Sequence, residues 1–298
     1  MFNFLKPARH IKSLPAEKVD DTYKRLRFQV FLGIFIGYAG YYLLRKNFSL
    51  AMPSLIEQGF SKGELGIALS AVSIAYGFSK FVMGTVSDRS NARMFLTLGL
   101  VLTAIINLLL GFIPFFTSSI TIMFIMLFLV GWFQGMGWPP CGRVLVHWFS
   151  TSERGWKTSL WNTAHNVGGA ALPALIGVGL AWTSNSWQAA FWVPAVVALI
   201  VAVIAFFLIR DTPESIGLPP IEEYRDDPAK VSVDDGVRMS AKELIFKHVL
   251  TNHTIVMLAV ANVFVYSLRY GVLSWITVFL ADKHHAEIGS GLVGYAVF

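Results

Sequence analysis

Residues 187–209 read WQAAFWVPAVVALIVAVIAFFLI, a continuous run without a charged side chain. About 20 apolar residues in a helix cross the hydrocarbon core of a bilayer, so this run predicts a transmembrane helix. A strand is excluded because the run shows no two-residue alternation, and because a helix satisfies its own backbone hydrogen bonds in lipid. The run therefore places the chain among the helical membrane proteins.

Further apolar runs along the chain share this length and character. They are predicted at Phe28–Met52, Gly63–Val86, Met94–Phe116, Ser119–Trp138, Thr158–Trp182 and His253–Leu280, with an eighth that begins near Ile288 and is cut off at Phe298. The composition agrees, because 55% of the 298 residues are hydrophobic and only 14% are charged, against about 25% in an average soluble domain. Mean hydropathy is +0.58. These values exclude a disordered chain, a coiled coil and a disulfide scaffold.

The basic residues divide unevenly between the two ends of the predicted spans. Seven lie in the N-terminal tail, two between spans two and three, three between spans four and five, and six in the polar stretch 210–250. These segments share one side of the membrane, whereas the other side holds only Lys62 and Lys283. The positive-inside rule therefore predicts a cytoplasmic N-terminus. The net charge of +6 is then a topology signal and does not indicate a nucleic-acid partner.

The polar stretch divides the chain into four predicted segments. They are a cytoplasmic tail at 1–27, a six-helix bundle at 28–209, a cytoplasmic linker at 210–250 and the start of a second bundle at 251–298. Six spans, a linker and further spans are the plan of a transporter built from two related halves. We therefore expect an all-α multi-pass membrane protein, represented here by a fragment with one complete bundle.

A spaced set of polar residues recurs in the first helix of each predicted half. The two sets are Tyr38, Tyr42 and Arg45 in span one and Asn262, Tyr266 and Arg269 in span seven, offset by 224 residues. The i, i+4, i+7 spacing places all three members of a set on one helix face. The repeat predicts that the two arginines face each other across the interface between the halves.

Four basic residues lie inside the predicted spans, namely Arg45, Lys46, Lys80 and Arg269, and no acidic residue accompanies them away from the span ends. Each costs about 2.5–3.5 kcal/mol at mid-membrane. An anionic ligand, an acid elsewhere in the second half, or water reached by snorkelling could supply the missing countercharge. Arginine prefers planar, two-pronged partners such as phosphate or carboxylate. The cations therefore predict an anion-binding cavity.

Neutral side chains near these cations extend the candidate site. Tyr76 lies one turn before Lys80, and span five places Asn162 and His165 on one face. A histidine here is either hydrogen-bonded core or a group that tunes the charge of the cavity. Trp138, after a glycine-rich run, is a candidate cavity wall.

Patterns typical of catalysis are missing from the sequence. It contains no nucleophile–base pair, no H-E-x-x-H, no phosphate-binding loop and no cysteine–histidine metal spacing, and Cys141 is the single cysteine. We therefore expect a protein that is not an enzyme and that uses no metal or cofactor.

Two longer motifs resemble those of a known family. GTVSDR at Gly84–Arg89, with Arg93 beyond, resembles the loop motif of the major facilitator superfamily, although Asn91 replaces its later glycine. RGWKTSLWNTAHNVGG at Arg154–Gly169 is similar to the signature of the organophosphate:phosphate antiporter family within it. Further stretches resemble the glycerol-3-phosphate branch of that family, at Tyr42–Asn47, Gly131–Gly142 and Gly217–Tyr224.

This resemblance implies a twelve-helix bacterial inner-membrane protein that exchanges inorganic phosphate for glycerol-3-phosphate by alternating access. It implies that Arg45 and Arg269 bind phosphate and that His165 tunes affinity. The positions implied to line the cavity are Lys80, Tyr38, Tyr42, Tyr76, Trp138, Asn162 and Tyr266, with Lys46 less well matched. An acidic partner for Lys46 is expected early in the second half, where span seven offers Ser274.

The resemblance also implies partners and leaves alternatives. Small phosphate compounds and membrane lipid are the expected partners, and a monomer is the expected state. A hexose-phosphate or phosphoglycerate exchanger would share the same arginines and histidine. A transporter-like sensor would bind the phosphate ester without carrying it.

Overall fold

The computed structural model describes residues 3–226 and 244–284. Within these ranges all regular structure is helical, as predicted. The α-helices are α1 (Ala16–Tyr42), α2 (Asn47–Glu57), α3 (Lys62–Ser87), α4 (Ala92–Phe112), α5 (Ile120–Gln134), α6 (Trp138–Trp148), α7 (Thr151–Asn162), α8 (Ala164–Trp182), α9 (Ala189–Leu208), α10 (Ile221–Tyr224) and α11 (His253–His284). Shorter helical turns lie at Asn3–Leu5, Pro114–Thr117, Glu214–Ile216 and Leu244–Val249.

Seven helical stretches in the described ranges are long and apolar enough to cross a membrane. They are Ala16–Glu57, Lys62–Ser87, Ala92–Phe112, Ile120–Trp148, Thr151–Trp182, Ala189–Leu208 and His253–Lys283. This confirms the seven predicted spans. The predicted eighth span, from residue 288, and linker residues 227–243 lie outside the described residues.

Spans one, four and five extend well beyond their predicted bounds, and span five begins at Thr151 and not at Thr158. Helix α1 begins at Ala16, so residues 16–27 of the predicted tail are helical. Span four was expected to end at Trp138, but the chain continues as α6 to Trp148. A helix can restart there because Pro139 and Pro140 stand in its first turn, where a backbone N–H has no intrahelical acceptor.

Three spans are interrupted near their middle. Span one breaks between Tyr42 and Asn47, span four between Gln134 and Trp138, and span five at Thr163. The break in span four contains Gly135, where a Cβ atom would lie 2.8 Å from that of Ser79. Helices interrupted at mid-membrane depth are common where transporters bind their substrates. The breaks therefore make the middle of these three spans a candidate position for a binding site.

Small residues let α1 pack closely against its neighbours. Gly33, Gly37 and Gly40 stand on one side of α1, and a Cβ atom at each would come within 2.9 Å of a side chain on α4 or α9. Close helix packing in membranes depends on small residues of this kind. The packing fixes the backbone of α1, so that the side chains of its other face have a defined position.

One end of the bundle is organised around Asp211, which is almost fully buried. Its carboxylate accepts hydrogen bonds of 2.9 Å from the backbone N–H groups of Ala8 and Ala92, and pairs with Arg143 at 3.5 Å. The N-terminal segment, α4 and α6 therefore meet the end of span six at this place. We call it the basic end, because it carries the positive segments predicted to share one side of the membrane.

The opposite end joins α3 to α11 through an ion pair between Lys62 and Asp282. Lys62 therefore lies close to the part of α11 that carries Lys283, as the predicted topology requires. Which side of the membrane each end faces stays a prediction.

Helix α11 contacts the first bundle through its later half only. The contacts run from Tyr270 to Asp282, mainly against α2, whereas residues 257–269 are exposed. One of these contacts involves the carbonyl of Ser49 in α2. That carbonyl lacks its helical donor, because Pro53 has no backbone N–H. The hydroxyl of Thr277 donates to that carbonyl instead, at 3.0 Å. The two halves are thus joined by a specific polar contact away from the basic end.

Candidate anion-binding site

Arg45 lies in the break of span one, surrounded by tyrosines. Its guanidinium donates hydrogen bonds to the hydroxyl oxygens of Tyr42, at 3.1 Å, and Tyr76, at 3.4 Å. Its Cζ atom lies 4.1 Å from the ring centroid of Tyr76 and 5.9 Å from that of Tyr270. Aromatic faces and hydroxyl oxygens attract a cation but do not neutralise it. Arg45 is thus held in place with its charge uncompensated.

Lys46 follows in the same break and reaches the second half. Its ammonium donates to the hydroxyl of Ser274 at 2.9 Å and lies 5.0 Å from the ring centroid of Tyr270. The expected acidic partner is therefore replaced, in the described residues, by a neutral hydroxyl and an aromatic face. This geometry leaves a second positive charge beside Arg45.

A row of aromatic rings leads from Trp138 to His165 along the other side of Arg45. Trp138 meets Trp161 at 6.2 Å between ring centroids, and Trp161 lies 4.7 Å from Tyr38. Tyr38 then contacts Tyr42 at 5.5 Å, and Tyr42 contacts His165 at 5.3 Å. The indole N–H of Trp161 is fixed by the carbonyl of Ile34 at 3.2 Å. The row gives the site one apolar wall with a titratable group at its end.

Lys80 lies between an open cavity and the residues Arg45 and Lys46. We call these three residues the cation cluster. Its ammonium lies 4.5 Å from the ring centroid of Tyr76, the ring that also contacts Arg45. Lys80 and Trp138 together line a cavity of about 810 Å³, which extends to Asp88 and Arg143 at the basic end. The cation cluster can therefore be approached from that end of the bundle.

Three predicted site residues form no hydrogen bond or ring contact with Arg45 among the described residues. They are Arg269, Tyr266 and Asn162. Tyr266 stacks on Tyr270 at 5.4 Å and reaches the cluster through that ring. Arg269 is exposed on α11 and directly precedes Tyr270, whose ring centroid lies 5.0 Å from the ammonium of Lys46. Asn162 ends α7 and is exposed, next to Trp161. The predicted contact of the two arginines with a shared ligand stays a prediction.

Positive charge dominates the site. Among the described residues, Arg45, Lys46, Lys80 and Arg269 form no ion pair, while the ion pairs that do form join Arg27, Lys62, Arg143 and Arg225 to acids near the ends of the spans. An unpaired charge in a desolvated region is costly, and burying several together adds their repulsion. Such an arrangement is suited to binding an anion.

Two residues of the cluster were missed by reasoning from sequence alone. The ring of Tyr270 contacts both Arg45 and Lys46. Tyr270 lies one position after Arg269, the last member of the predicted set in span seven. Applying the offset of 224 residues to Lys46 would have found it. Trp161 stands within the quoted signature, four residues before His165, so helical spacing already placed the two on one face.

The chain is similar to a known family and to individual bacterial proteins. A family model described as Major Facilitator Superfamily matches residues 34–298. The glycerol-3-phosphate transporter of Bacillus subtilis is 57% identical over 95% of this chain, and that of Haemophilus influenzae is 49% identical over 100% of it. The chain spans 64% and 65% of the lengths of these two relatives, a little under two thirds.

A solved structure shares the architecture. It is a bacterial homologue of the human lysosomal transporter Spinster, in an inward-facing and unoccupied conformation, and it superposes with a TM-score of 0.68. The match covers 91% of this chain and 59% of that one, at 17% sequence identity. At this identity the similarity concerns the fold alone.

Proposed function

The chain belongs to the major facilitator superfamily, and from that premise we propose that the protein exchanges glycerol-3-phosphate for inorganic phosphate across the inner membrane of a bacterium. The observation that carries the proposal is the unpaired cation cluster around Arg45 and Lys46, in the break of span one. The relatives named glycerol-3-phosphate transporter favour that phosphate ester as the substrate. The protein acts as a carrier and not as an enzyme.

The phosphate group binds between Arg45 and Arg269, one from each half. Two guanidinium groups supply paired N–H donors that match the oxygens of a phosphate dianion. Tyr42 and Tyr76 already hold Arg45 in position, so less side-chain freedom is lost when the ligand binds. Lys46 and Lys80 add attraction at longer range, and the ring of Tyr38 with its neighbours forms the apolar side.

Ligand binding drives the change between the conformation that is open to one side of the membrane and the conformation that is open to the other. In the empty carrier the like charges of the two halves repel each other, which opposes closure at the basic end. A bound phosphate neutralises them, so that the occupied carrier closes more readily than the empty one. Exchange then follows because the carrier returns quickly only when it holds a second anion.

The test is exchange of labelled phosphate in proteoliposomes that contain the purified full-length protein. Arg45→Lys and Arg269→Lys keep the charge but lose the paired donors, worth about 3 kcal/mol, so each should lower exchange by about 100-fold. Arg25→Lys, on the exposed early part of α1, is the matched control and should exchange normally. Exchange at the unmodified rate in either site variant would refute the role of that arginine.

The same vesicles separate the alternatives. Glycerol-3-phosphate should compete with labelled phosphate at lower concentrations than glucose-6-phosphate or phosphoglycerate. The reverse order would reassign the substrate to a hexose phosphate or a phosphoglycerate. Binding of the ester without counterflow of phosphate would instead identify a sensor.

A further inference from the structure

A second pair of arginines lies at the basic end, on the outer side of α4 and α9 and apart from the cation cluster. Arg93 stands in the first turn of α4, and its Cζ atom lies 4.3 Å from the ring centroid of Phe206 in the last turns of α9. Arg210 follows the end of α9 and donates from one guanidinium nitrogen to the carbonyls of Phe207, at 2.7 Å, and Ile209, at 2.9 Å. Both guanidinium groups are therefore gathered at the end of one helix.

The two charges act on each other without an acidic partner. Burial, together with the positive charge of Arg93, lowers the pKa of Arg210. Among the described residues neither arginine forms an ion pair, and the Nε atom of Arg93 is buried without a hydrogen-bond partner. An anion that contacts both guanidinium groups would offset this repulsion.

The acid that follows Arg210 in the sequence is already engaged elsewhere. Asp211 directly follows Arg210, but its two oxygens accept from the N–H groups of Ala8 and Ala92 and face Arg143. The first N–H groups of α4 are also satisfied, since those of Arg93 and Met94 are bonded to the side chain of Asn91. The free binding capacity at this place therefore belongs to the two arginine side chains.

An apolar surface adjoins the arginines. The side chain of Phe207 is 66% exposed and Val203, one turn earlier on α9, is 58% exposed. Both belong to a span whose composition suits contact with lipid tails. A ligand with a phosphate at one end and an acyl chain at the other would meet both surfaces at once, and the end of a span is the depth at which lipid headgroups lie.

We propose that Arg93 and Arg210 bind the phosphate of an anionic phospholipid in the membrane leaflet at the basic end. The headgroup phosphate accepts from both guanidinium groups, and one acyl chain runs along Val203 and Phe207. The lipid thereby ties the first turn of α4 to the end of α9. This site is independent of the transported anion, because neither arginine contacts the cation cluster.

Native mass spectrometry of the purified full-length protein, with added phosphatidylglycerol or phosphatidylcholine, tests the proposal. The protein should retain at least one phosphatidylglycerol about tenfold more tightly than phosphatidylcholine. The double variant Arg93→Gln/Arg210→Gln should lose this preference, while Arg25→Gln, an equal loss of charge per site at an exposed position, should keep it. Equal binding by the double variant and the unmodified protein, or equal binding of the two lipids, would overturn the proposal.

Two further measurements keep the result decisive. Inorganic phosphate, added at the concentration of the lipid, should not displace phosphatidylglycerol; displacement would assign the pair to a soluble anion and overturn the lipid. A photoreactive phosphatidylglycerol bound to unmodified protein should label the peptide around residues 203–210, and label confined to other spans would also overturn it. The labelling experiment needs no variant, so it stays informative if the double variant fails to fold.

Discussion

Spans one and seven carry the same polar pattern and place it in different surroundings. In span one the helix breaks after Tyr42, and Arg45 is enclosed by Tyr42, Tyr76 and Tyr270. In span seven, α11 continues through Arg269, which is exposed. The difference teaches that spacing puts a residue on a face, whereas the neighbouring helices decide what surrounds it. Helices α3 and α11 enclose the first arginine through Tyr76 and Tyr270, while α11 is the only spanning helix of the second half among the described residues.

The asymmetry extends to the contact between the halves. Span one contributes a cation, Lys46, and a carbonyl freed by Pro53, whereas span seven contributes the neutral hydroxyls of Ser274 and Thr277. Neutral partners bind less strongly than a carboxylate would, because a charge pair in a partly desolvated site contributes more free energy than a single hydrogen bond. The contact is therefore specific, yet weaker than an ion pair at the same place would be.

The largest expected effect comes from making span seven acidic. Ser274→Asp places a carboxylate against the ammonium of Lys46, 2.9 Å from the present hydroxyl. A buried ion pair of about 3 kcal/mol should hold the two halves together and slow phosphate exchange in proteoliposomes by about 100-fold. Ser274→Asn, with the same shape and no charge, is the control. Equal exchange by the two variants would show that opening of this contact is not part of the cycle.

A smaller effect is expected where α2 depends on α11. Thr277→Val leaves the carbonyl of Ser49 without a donor and should cost about 1–3 kcal/mol of stability, seen as a lower midpoint of thermal unfolding in detergent. Pro53→Ala restores an N–H for that carbonyl within α2. The cost of Thr277→Val should therefore shrink in the Pro53→Ala background. Equal costs in both backgrounds would mean that the proline is not the reason for the contact.

Hydropathy and spacing predicted much of this arrangement. The seven spans, the shared face of Tyr38, Tyr42 and Arg45, and the meeting of the N-terminal segment, α4 and α6 at one end all follow from the order of apolar and charged residues. These are properties that each helix has by itself. They can be read without knowledge of the neighbours.

The breaks and the partners of the cations could not be read in this way. Leu43 and Leu44 continue the apolar run across the break in span one, so hydropathy gives no sign of it. The contact of Lys46 with Ser274 joins residues 228 positions apart and depends on how two helices meet. The buried position of Asp211 likewise arises from three segments that are distant in sequence.

The two tyrosines beside the arginines provide a direct comparison of the spans. Tyr76→Phe removes an acceptor that holds Arg45, so affinity for phosphate should fall by about threefold to tenfold. Tyr266→Phe removes a hydroxyl with no such role among the described residues, and its effect should stay below about twofold. Binding of labelled phosphate to purified protein measures both. A larger effect for Tyr266→Phe would place Arg269, and not Arg45, in the more ordered environment.

The smallest expected effect concerns pH. Among the described residues, His165 is the histidine that contacts the aromatic residues around Arg45. The ring centroid of His165 lies 5.3 Å from that of Tyr42, which contacts Arg45. A histidine is positive below its titration and neutral above it, so the attraction it adds for phosphate is lost as the pH rises. His165→Asn should therefore bind phosphate about threefold more weakly than the unmodified protein at pH 5 and equally at pH 8. Comparing the two proteins at each pH cancels the titration of phosphate itself. A difference that persists at pH 8 would mean that the imidazole acts by shape or hydrogen bonding and not by charge.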